Sequence, residues 1–173
     1  SDYCRVNKDN SVHLEGNVIV RDETTLRLES DSLDFRRYPD RVWSKDTVRY
    51  FKEGLAGDAG HFRFFTKRGE LELGEGVSMI LHDEGDEPVR IKSLSALTRR
   101  RQNWVQFVDD VKVRQSTRAL DCDDLKLFLV DGTGKIERME ALENVDFRMN
   151  VPSNGENRED DVGTTGASAL SLE

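Results

Sequence analysis

The residues that could do chemistry in this chain are its histidines, its cysteines and its many carboxylates. His13, His61 and His82 are far apart and form no metal-ligand spacing, and no glycine-rich phosphate loop or Gly-x-Ser-x-Gly motif occurs. Cys4 and Cys122 have neither metal spacing nor a catalytic neighbourhood, so two free thiols are favoured over a disulfide. We therefore expect no catalytic residue, no metal ion and no cofactor, and we predict that the protein is not an enzyme.

The charge of the chain limits its partners. A formal net charge of -8 argues against nucleic acid, because a nucleic-acid-binding surface needs cations to neutralise phosphates. Arg99, Arg100 and Arg101 form the one basic run of the sequence. A solvated turn or an edge that resists strand pairing is the simpler interpretation of this run, and a contact with an anionic ligand or partner is the alternative.

Alternation of apolar and polar residues dominates the sequence and predicts strands that each carry one apolar face. Turn signals at short intervals separate these strands and indicate an antiparallel meander. The signals are Glu15-Gly16-Asn17, Tyr38-Pro39-Asp40, Lys67-Arg68-Gly69, Asp83-Glu84-Gly85-Asp86 and Asp131-Gly132-Thr133-Gly134. The segment from Lys135 to Leu142 also fits a helical stripe, but its surroundings favour a strand.

A weak repeat runs through the same segments. Valine-led strands recur about every 29 to 34 residues, a period typical of stacked units that cannot bury an apolar face alone. They begin at Gly16-Asn17-Val18, Asp46-Thr47-Val48, Glu75-Gly76-Val77, Asp109-Asp110-Val111 and Glu143-Asn144-Val145. A second pattern, from Leu28 to Phe35, recurs from Leu120 to Leu127.

Length and composition predict one domain. The chain has 173 residues, of which 36% are hydrophobic and 35% charged, a balance that favours a thin, extended architecture. We place a β domain at residues 12–149, an N-terminal extension at 1–11 and a flexible acidic tail at 150–173. No stretch approaches the roughly 18 apolar residues of a membrane helix. The chain begins without an initiator methionine, so an export signal or an anchor upstream of Ser1 stays open.

Several segments also stand in a recognisable order. They are Gly16-Asn17-Val18, Leu28 to Phe35, Arg41-Val42-Trp43-Ser44, Gly57-Asp58-Ala59-Gly60-His61-Phe62, Gly69-Glu70-Leu71-Glu72-Leu73 and Glu143-Asn144-Val145. In order and spacing they resemble the periplasmic lipopolysaccharide-transport proteins of the OstA-like family, which includes an anchored LptC type and a soluble bridging LptA type. The first half looks more like the anchored type and the second half more like the bridge. Glu75-Gly76 and Asp109-Asp110 depart from the glycine-asparagine pair expected at such turns.

The resemblance implies an all-β fold, a folded-over antiparallel β-jelly roll whose two facing sheets are open along one side. It implies a non-catalytic periplasmic carrier that shields the lipid A acyl chains of lipopolysaccharide between the inner and outer membranes. The implied partners are an inner-membrane ABC transporter upstream, an outer-membrane translocon downstream and other transport proteins or further copies of the chain, joined head to tail. Anchoring to the inner membrane by a segment outside this chain stays open, as does the choice between the two types.

Alternation also predicts which side chains face inward. An apolar groove would bury acyl chains at about 0.8 kcal/mol per methylene removed from water. The predicted lipid-binding residues of this inner face are Val18, Val20, Leu26, Leu28, Leu33, Phe35, Phe62, Phe64, Leu71, Leu73, Val77, Met79, Leu81, Val111, Val113, Leu125 and Leu127. For each of them, an ordinary sandwich core is the competing interpretation. Because Phe62, Phe64 and Phe65 cannot all face one side of a strand, one of them is expected to pack outward.

A different class of function would share these features. A structural β-repeat or adhesin-like module that binds protein and no lipid would show the same alternation, repeat and acidic composition. In a folded-over sheet, strands near Val18 and Val145 would be exposed edges and would join head to tail with like partners by strand addition.

Overall fold

The computed structural model describes residues 1–21, 26–38, 40–52, 54–82, 87–99, 102–130, 135–149 and 170–172. These residues form one antiparallel sheet of fourteen strands and contain no helix. The strands are β1 Tyr3–Val6, β2 Val12–Arg21, β3 Arg27–Arg36, β4 Arg41–Ser44, β5 Val48–Lys52, β6 Leu55–Phe65, β7 Glu70–Leu81, β8 Val89–Ser93, β9 Ser95–Arg99, β10 Trp104–Gln115, β11 Arg118–Leu129, β12 Ile136–Leu142, β13 Asp146–Met149 and β14 Leu170–Leu172. The all-β prediction is confirmed, and so is the strand expected between Lys135 and Leu142.

The sheet is a meander in which long strands alternate with strands that are broken in two. β4 and β5 together lie between β3 and β6, and β8 and β9 together lie between β7 and β10. In the same way, β12 and β13 both pair with β11. On one of its sides, each long strand except β2 therefore pairs with two short strands, one along each part of its length.

The breaks and bulges fall on one line across the sheet, which we call the seam. Its members are Gly16–Asn17, Lys45–Thr47, Gly60, Glu75–Gly76, Leu94, Asp109–Asp110 and Glu143–Val145. On three strands, and again between β12 and β13, two successive seam residues have positive φ, for example 75° at Gly16 and 46° at Asn17. Left-handed residues interrupt the ladder and bend the strand, so the sheet folds over along the seam.

This arrangement corrects the prediction of a turn at Glu15-Gly16-Asn17. These residues lie inside β2, which continues to Arg21, because a left-handed pair can bulge a strand as well as reverse it. Glu75-Gly76 and Asp109-Asp110 adopt the same left-handed pair, so their departure from the glycine-asparagine pattern does not alter the backbone. The turns at Tyr38 to Asp40 and at Lys67 to Gly69 do connect strands. The turns predicted at 83–86 and 131–134 lie outside the described residues.

The seam divides the sheet into two layers that face each other. Layer A consists of residues 12–15, 32–36, 41–44, 61–65, 70–74, 95–99, 104–108, 124–129 and 136–142. Layer B consists of residues 18–21, 27–30, 48–52, 55–59, 77–81, 89–93, 111–115, 118–121 and 146–149. The inward side chains of both layers belong to a single hydrophobic core.

Packing of this core is tightest beside the seam. Four of the five valines that lead the repeat, Val18, Val48, Val77 and Val111, directly follow seam residues and are at most 3% exposed. The fifth, Val145, lies in the seam before β13 and is 36% exposed. Phe62 and Phe107 are as deeply buried. Fully buried apolar side chains of this size are worth roughly 1.5–3 kcal/mol each, so the seam is where the two layers are held together.

The outward side of both layers is polar. Most outward residues of the strands are polar or charged and are exposed or half-buried, as predicted; examples are Arg27, Glu29, Asp34, Arg63, Glu72, Lys112, Arg114 and Lys126. Phe65 lies on this outer side beneath the Arg68 guanidinium, whose carbon is 4.1 Å from the ring centre. The expected outward aromatic residue is therefore Phe65, while Phe62 is buried.

Opposite the seam, the two layers end in hairpin connections. The described residues of these connections in layer A, at 37–38, 40, 66–69, 102–103, 130 and 135, form lip A, and those in layer B, at 26, 54, 82, 87–88 and 116–117, form lip B. The two rows of connections leave a lengthwise side that no described strand closes. Of the predicted basic run, Arg99 is exposed at lip A, and Arg100 and Arg101 lie outside the described residues.

The ends of the sheet differ between the layers. In layer A, β1 pairs with Val12 to Glu15 of β2, and β14 pairs with Met139 to Ala141 of β12. In layer B, among the described strands, Val18 to Arg21 pair only with β3, and β13 pairs only with β11. Short strands from both chain ends thus cover layer A, and layer B ends directly in β2 and β13.

The two chain ends add to the predicted division of the chain. Residues 3–6 of the expected N-terminal extension form β1, and residues 170–172 of the expected tail form β14. The remainder of the tail lies outside the described residues. Cys4 and Cys122 are free thiols, the first exposed and the second buried, as predicted. No helix able to cross a membrane occurs in the part of the chain that the structure describes.

Candidate functional site

Two cavities lie between the layers, on the lip side of the packed core. The first has a volume of about 230 Å³ and is lined mainly by apolar side chains from both layers. Layer B contributes Val20, Leu28, Tyr50 and Met79, and layer A contributes Phe64, Leu71, Leu73, Val105 and Leu129. The strands bring these residues together because each is an inward position of its alternating pattern.

The second cavity lies towards the C-terminal end of the sheet and measures about 450 Å³. Its apolar lining includes Leu81, Val89, Val113, Leu120, Ile136, Met139, Phe147 and Met149. Phe147 and Met149 are 46% and 52% exposed, so this cavity opens to solvent at the edge strand β13. Ligand cavities in proteins typically measure about 300–1,000 Å³, and these two lie at or near that range.

The predicted inner-face residues divide between the cavities and the packed core. Val20, Leu26, Leu28, Phe64, Leu71, Leu73 and Met79 line the first cavity, and Leu81 and Val113 line the second. Val18, Leu33, Phe35, Phe62, Val77, Val111, Leu125 and Leu127 belong to the core and line neither cavity. The structure thus places all of them inside, and their role in holding lipid stays a prediction.

Several lining residues were not among those predicted. Tyr50, Val105 and Leu129 of the first cavity, and Phe147 and Met149 of the second, all lie on strands that the alternation identifies. Alternation gives the face of a residue but not its distance from the seam. Because the seam residues resemble turns in sequence, the position of the seam was not predicted. The sequence therefore did not distinguish the inward residues that pack in the core from those that line a cavity.

Tyr50 combines an apolar ring with a satisfied polar end in the first cavity. Its hydroxyl donates to the Ser78 carbonyl oxygen at 2.9 Å, and burial raises the pKa of this hydroxyl far above its usual value. Gly57 makes the contact possible, since a Cβ there would lie 2.2 Å from the Ser78 oxygen and 2.3 Å from the Tyr50 hydroxyl. The cavity wall is therefore fixed by hydrogen bonding as well as by packing.

Polar groups surround the mouths of both cavities. At the first, the lining includes Arg99, Lys52 and Asn103. The Arg99 Nε donates to Glu70 Oε2 at 2.9 Å, and Arg68 lies 3.7 Å from the other oxygen of the same buried carboxylate. At the second mouth, Glu87, Gln115 and Arg118 occupy the rim. An apolar interior with a charged rim suits an amphiphile better than a fully polar ligand.

A comparison with solved structures bears on this arrangement. The fold is similar to that of LptH. LptH is the LptA-homologous periplasmic component of the conserved lipopolysaccharide transport device from Pseudomonas aeruginosa, and its crystal structure superposes with a TM-score of 0.59. The similarity covers 73% of this chain and 95% of LptH at 11% sequence identity. No protein-family model matches the chain, and no curated protein sequence matches it either.

The similarity to LptH concerns the course of the backbone. At 11% identity it establishes the β-jelly roll and leaves the side chains of each cavity to be judged from this chain alone. The fold class expected from the sequence is thereby confirmed.

Cys122 is the buried thiol of the core. Burial, with a smaller effect from Asp124, raises the pKa of the Cys122 thiol to about 11, so this thiol is protonated and unreactive at neutral pH. In the described part of the chain, no group of three or more His, Cys, Asp or Glu residues could hold a metal ion.

Proposed function

We propose that this protein is a non-catalytic periplasmic carrier that holds the acyl chains of lipopolysaccharide between its two layers. The observation that carries the proposal is the pair of apolar cavities between the layers of a jelly roll with an open lengthwise side. Each methylene moved from water into such a cavity contributes about 0.8 kcal/mol, so the burial of several methylenes of an acyl chain gives substantial affinity. The similarity to LptH supports this choice of ligand.

The form of the cavities suits transfer rather than storage. Their walls are largely apolar, and hydrophobic contacts are non-directional, so neighbouring positions of a chain along the trough are close in energy. A ligand in such a site moves when another is supplied behind it. The energy for this movement would come from an ATP-driven transporter in the inner membrane, and the ligand would leave towards a translocon in the outer membrane.

The ends of layer B favour assembly by strand addition. Val18 to Arg21 and Asp146 to Met149 have hydrogen-bonded neighbours on one side only, among the described strands. Unpaired strand edges are templates for another chain. The second cavity reaches the surface beside β13, so a neighbouring protein docked on β13 would extend the apolar interior instead of closing it.

Site-specific photo-crosslinking in a Gram-negative host tests the carrier function. A photo-reactive amino acid at Leu26, which lines the first cavity, is expected to give an adduct with lipopolysaccharide. The matched control carries the photo-reactive amino acid at Ile19, which is 47% exposed on the outer side of layer B, and it should give no adduct with lipopolysaccharide. Mass spectrometry of the purified protein should find lipid A.

Two results would contradict the carrier function. One is the absence of any lipid adduct at Leu26 together with purified protein that contains no lipid A. The other is equal labelling at Leu26 and Ile19, which would indicate contact with bulk lipid rather than an internal site. Either result would favour a β-repeat module that binds protein.

A further inference from the structure

Lip A carries an excess of positive charge. Among the described residues, lip A and the strand ends beside it contain the cations Arg36, Arg37, Arg41, Lys67, Arg68, Arg99 and Lys135 and the carboxylates Asp40 and Glu70. Lip A is therefore basic in a chain whose net charge is -8. Such a local excess of cations is a candidate anion-binding surface.

Three of these cations, Arg36, Arg41 and Arg99, lie on one row across the outer side of layer A, and Arg37, Lys67 and Arg68 lie in the connections beside it. Directly paired positions run from Arg36 to Arg41, then to Phe65, to Glu70 and to Arg99. We call the side chains of Arg36, Arg37, Arg41, Lys67, Arg68 and Arg99 the cationic row. Lys67 reaches across to Tyr38, with 5.7 Å between its Nζ and the ring centre, so the 66–69 connection lies against the 37–40 connection.

Carboxylates neutralise only one part of the cationic row. Glu70 contacts both Arg68 and Arg99, but among the described residues Arg36 has a single ion pair, with Asp9 at 3.9 Å. Arg41 is stacked on Trp43 at 4.4 Å, and the Nε atoms of Arg36 and Arg41 lack any acceptor. Like charges directly opposite each other on neighbouring strands are destabilising, and an anion bound to both would remove that cost.

The cationic row adjoins the mouth of the first cavity. Arg99 and Gly69 line that cavity, and both belong to lip A or to the strand ends beside it. An amphiphile whose chains fill the cavity would have its head group within reach of the row. Guanidinium groups bind phosphate with two parallel hydrogen bonds, which makes arginine-rich surfaces selective for phosphate over uncharged groups.

We propose that the cationic row of lip A binds phosphate groups on the head group of an acylated lipid whose chains occupy the first cavity. This assignment rests on the proposed carrier function and adds the part of the ligand that the lip selects.

The test compares lipids that have the same acyl chains but differ in phosphate. Purified protein is loaded with a fluorescent acyl probe, and diphosphorylated or fully dephosphorylated lipid A is used to displace it at low ionic strength. We expect the phosphorylated lipid to bind about tenfold more tightly, as for one or two charge-assisted hydrogen bonds. Added salt should reduce this preference, because the cationic row is exposed.

Two double variants and one control locate the effect. Arg37→Ser with Lys67→Ser, and separately Arg36→Gln with Arg41→Gln, should reduce the preference to about twofold without changing the affinity for the dephosphorylated lipid. The control, Arg90→Ser with Lys92→Ser, removes the same charge from exposed positions on the outer side of layer B and should keep the full preference. Binding of the dephosphorylated lipid also shows that each variant is folded.

The outcomes separate this proposal from the carrier function. If no acylated ligand displaces or binds, the carrier function fails. If both lipids bind equally to the unaltered protein, or the control loses the preference as fully as the row variants, only the cationic row is excluded. Two further results would overturn the proposal. If millimolar inorganic phosphate displaced the fluorescent probe as effectively as the phosphorylated lipid does, the cationic row would be assigned to free phosphate. If the protein bound phosphatidylglycerol vesicles through the cationic row without displacement of the probe, the row would be assigned to a membrane surface.

Discussion

His13 lies between two carboxylates on the outer side of layer A. Its Nε2 is 2.9 Å from Glu15 Oε1, and its Nδ1 is 2.9 Å from Asp34 Oδ1 on the neighbouring strand. Hydrogen bonds to Glu15 and then to Asp34 raise the pKa of His13 above its usual value. Because the protonated form is the one favoured in the fold, this histidine stabilises the protein most when it is charged.

Replacement of His13 by glutamine should make the stability less dependent on pH. The stabilisation is fully present below the unfolded-state pKa of about 6.5 and is lost as the pH rises through the higher folded-state pKa. The unaltered protein should therefore exceed His13→Gln in unfolding free energy by about 0.5 kcal/mol at pH 5.5. The difference should shrink towards zero at pH 9. Urea denaturation at both pH values measures it, and a difference that grows with pH would contradict the assigned charge state.

At the scale of the strand, the seam determines the shape of the sheet. Glu75 has a φ of 59° and is exposed, and Gly76 beside it has a φ of 87°. Non-glycine residues reach this region at a cost of roughly 1–2 kcal/mol, and β-branched residues fit it worst. The bend of the sheet requires a left-handed backbone at the seam. The left-handed seam positions are accordingly occupied by Gly, Asn, Asp and Glu and not by β-branched residues.

Substitutions at Glu75 test this requirement. Glu75→Val should lower the unfolding free energy by about 1–2 kcal/mol, whereas Glu75→Gly should change it by less than about 0.5 kcal/mol. Glu72→Val, three residues earlier on an extended part of the same strand, is the matched control and should have little effect. Urea denaturation measures all three. A Glu75→Val protein as stable as the control would show that the left-handed conformation is not needed.

The seam also shows how far sequence reasoning reaches. Alternation identified nearly every long strand and the inward face of each, because a period of two is a local property. Gly16-Asn17 has the composition of a turn and of a bulge, and only the pairing of β2 with β3 over its whole length decides between them. The distance between the layers decides which inward residues pack in the core and which line a cavity. Leu125 is packed and Leu129 lines the first cavity, although both are inward leucines of β11, so the difference is not local to the sequence.

At the scale of the whole molecule, the difference between the layer ends predicts how copies associate. Cysteines at Arg21 of β2 and Arg148 of β13, in a Cys4→Ser background, should be joined between molecules by a short bis-maleimide at high protein concentration. We expect a ladder of crosslinked species, because both strands are uncovered edges of layer B among the described strands. Cys122 is buried and should not interfere.

The control for this experiment keeps one edge cysteine and moves the other. Arg90 lies on the outer side of layer B, on a strand paired on both sides, so Arg90→Cys with Arg148→Cys should yield only monomers. Monomers alone from the edge pair would exclude strand addition between copies through layer B. A ladder from both pairs would indicate random collision.

Every long strand passes through the seam and belongs to both layers, and this continuity has a mechanical consequence. The angle between the layers can widen by rotation about the few left-handed residues of the crease, while the ladder hydrogen bonds on either side stay intact. Swelling to admit a bulkier guest would then cost core contacts near the crease but no backbone pairing. The fold can therefore vary its capacity without local unfolding.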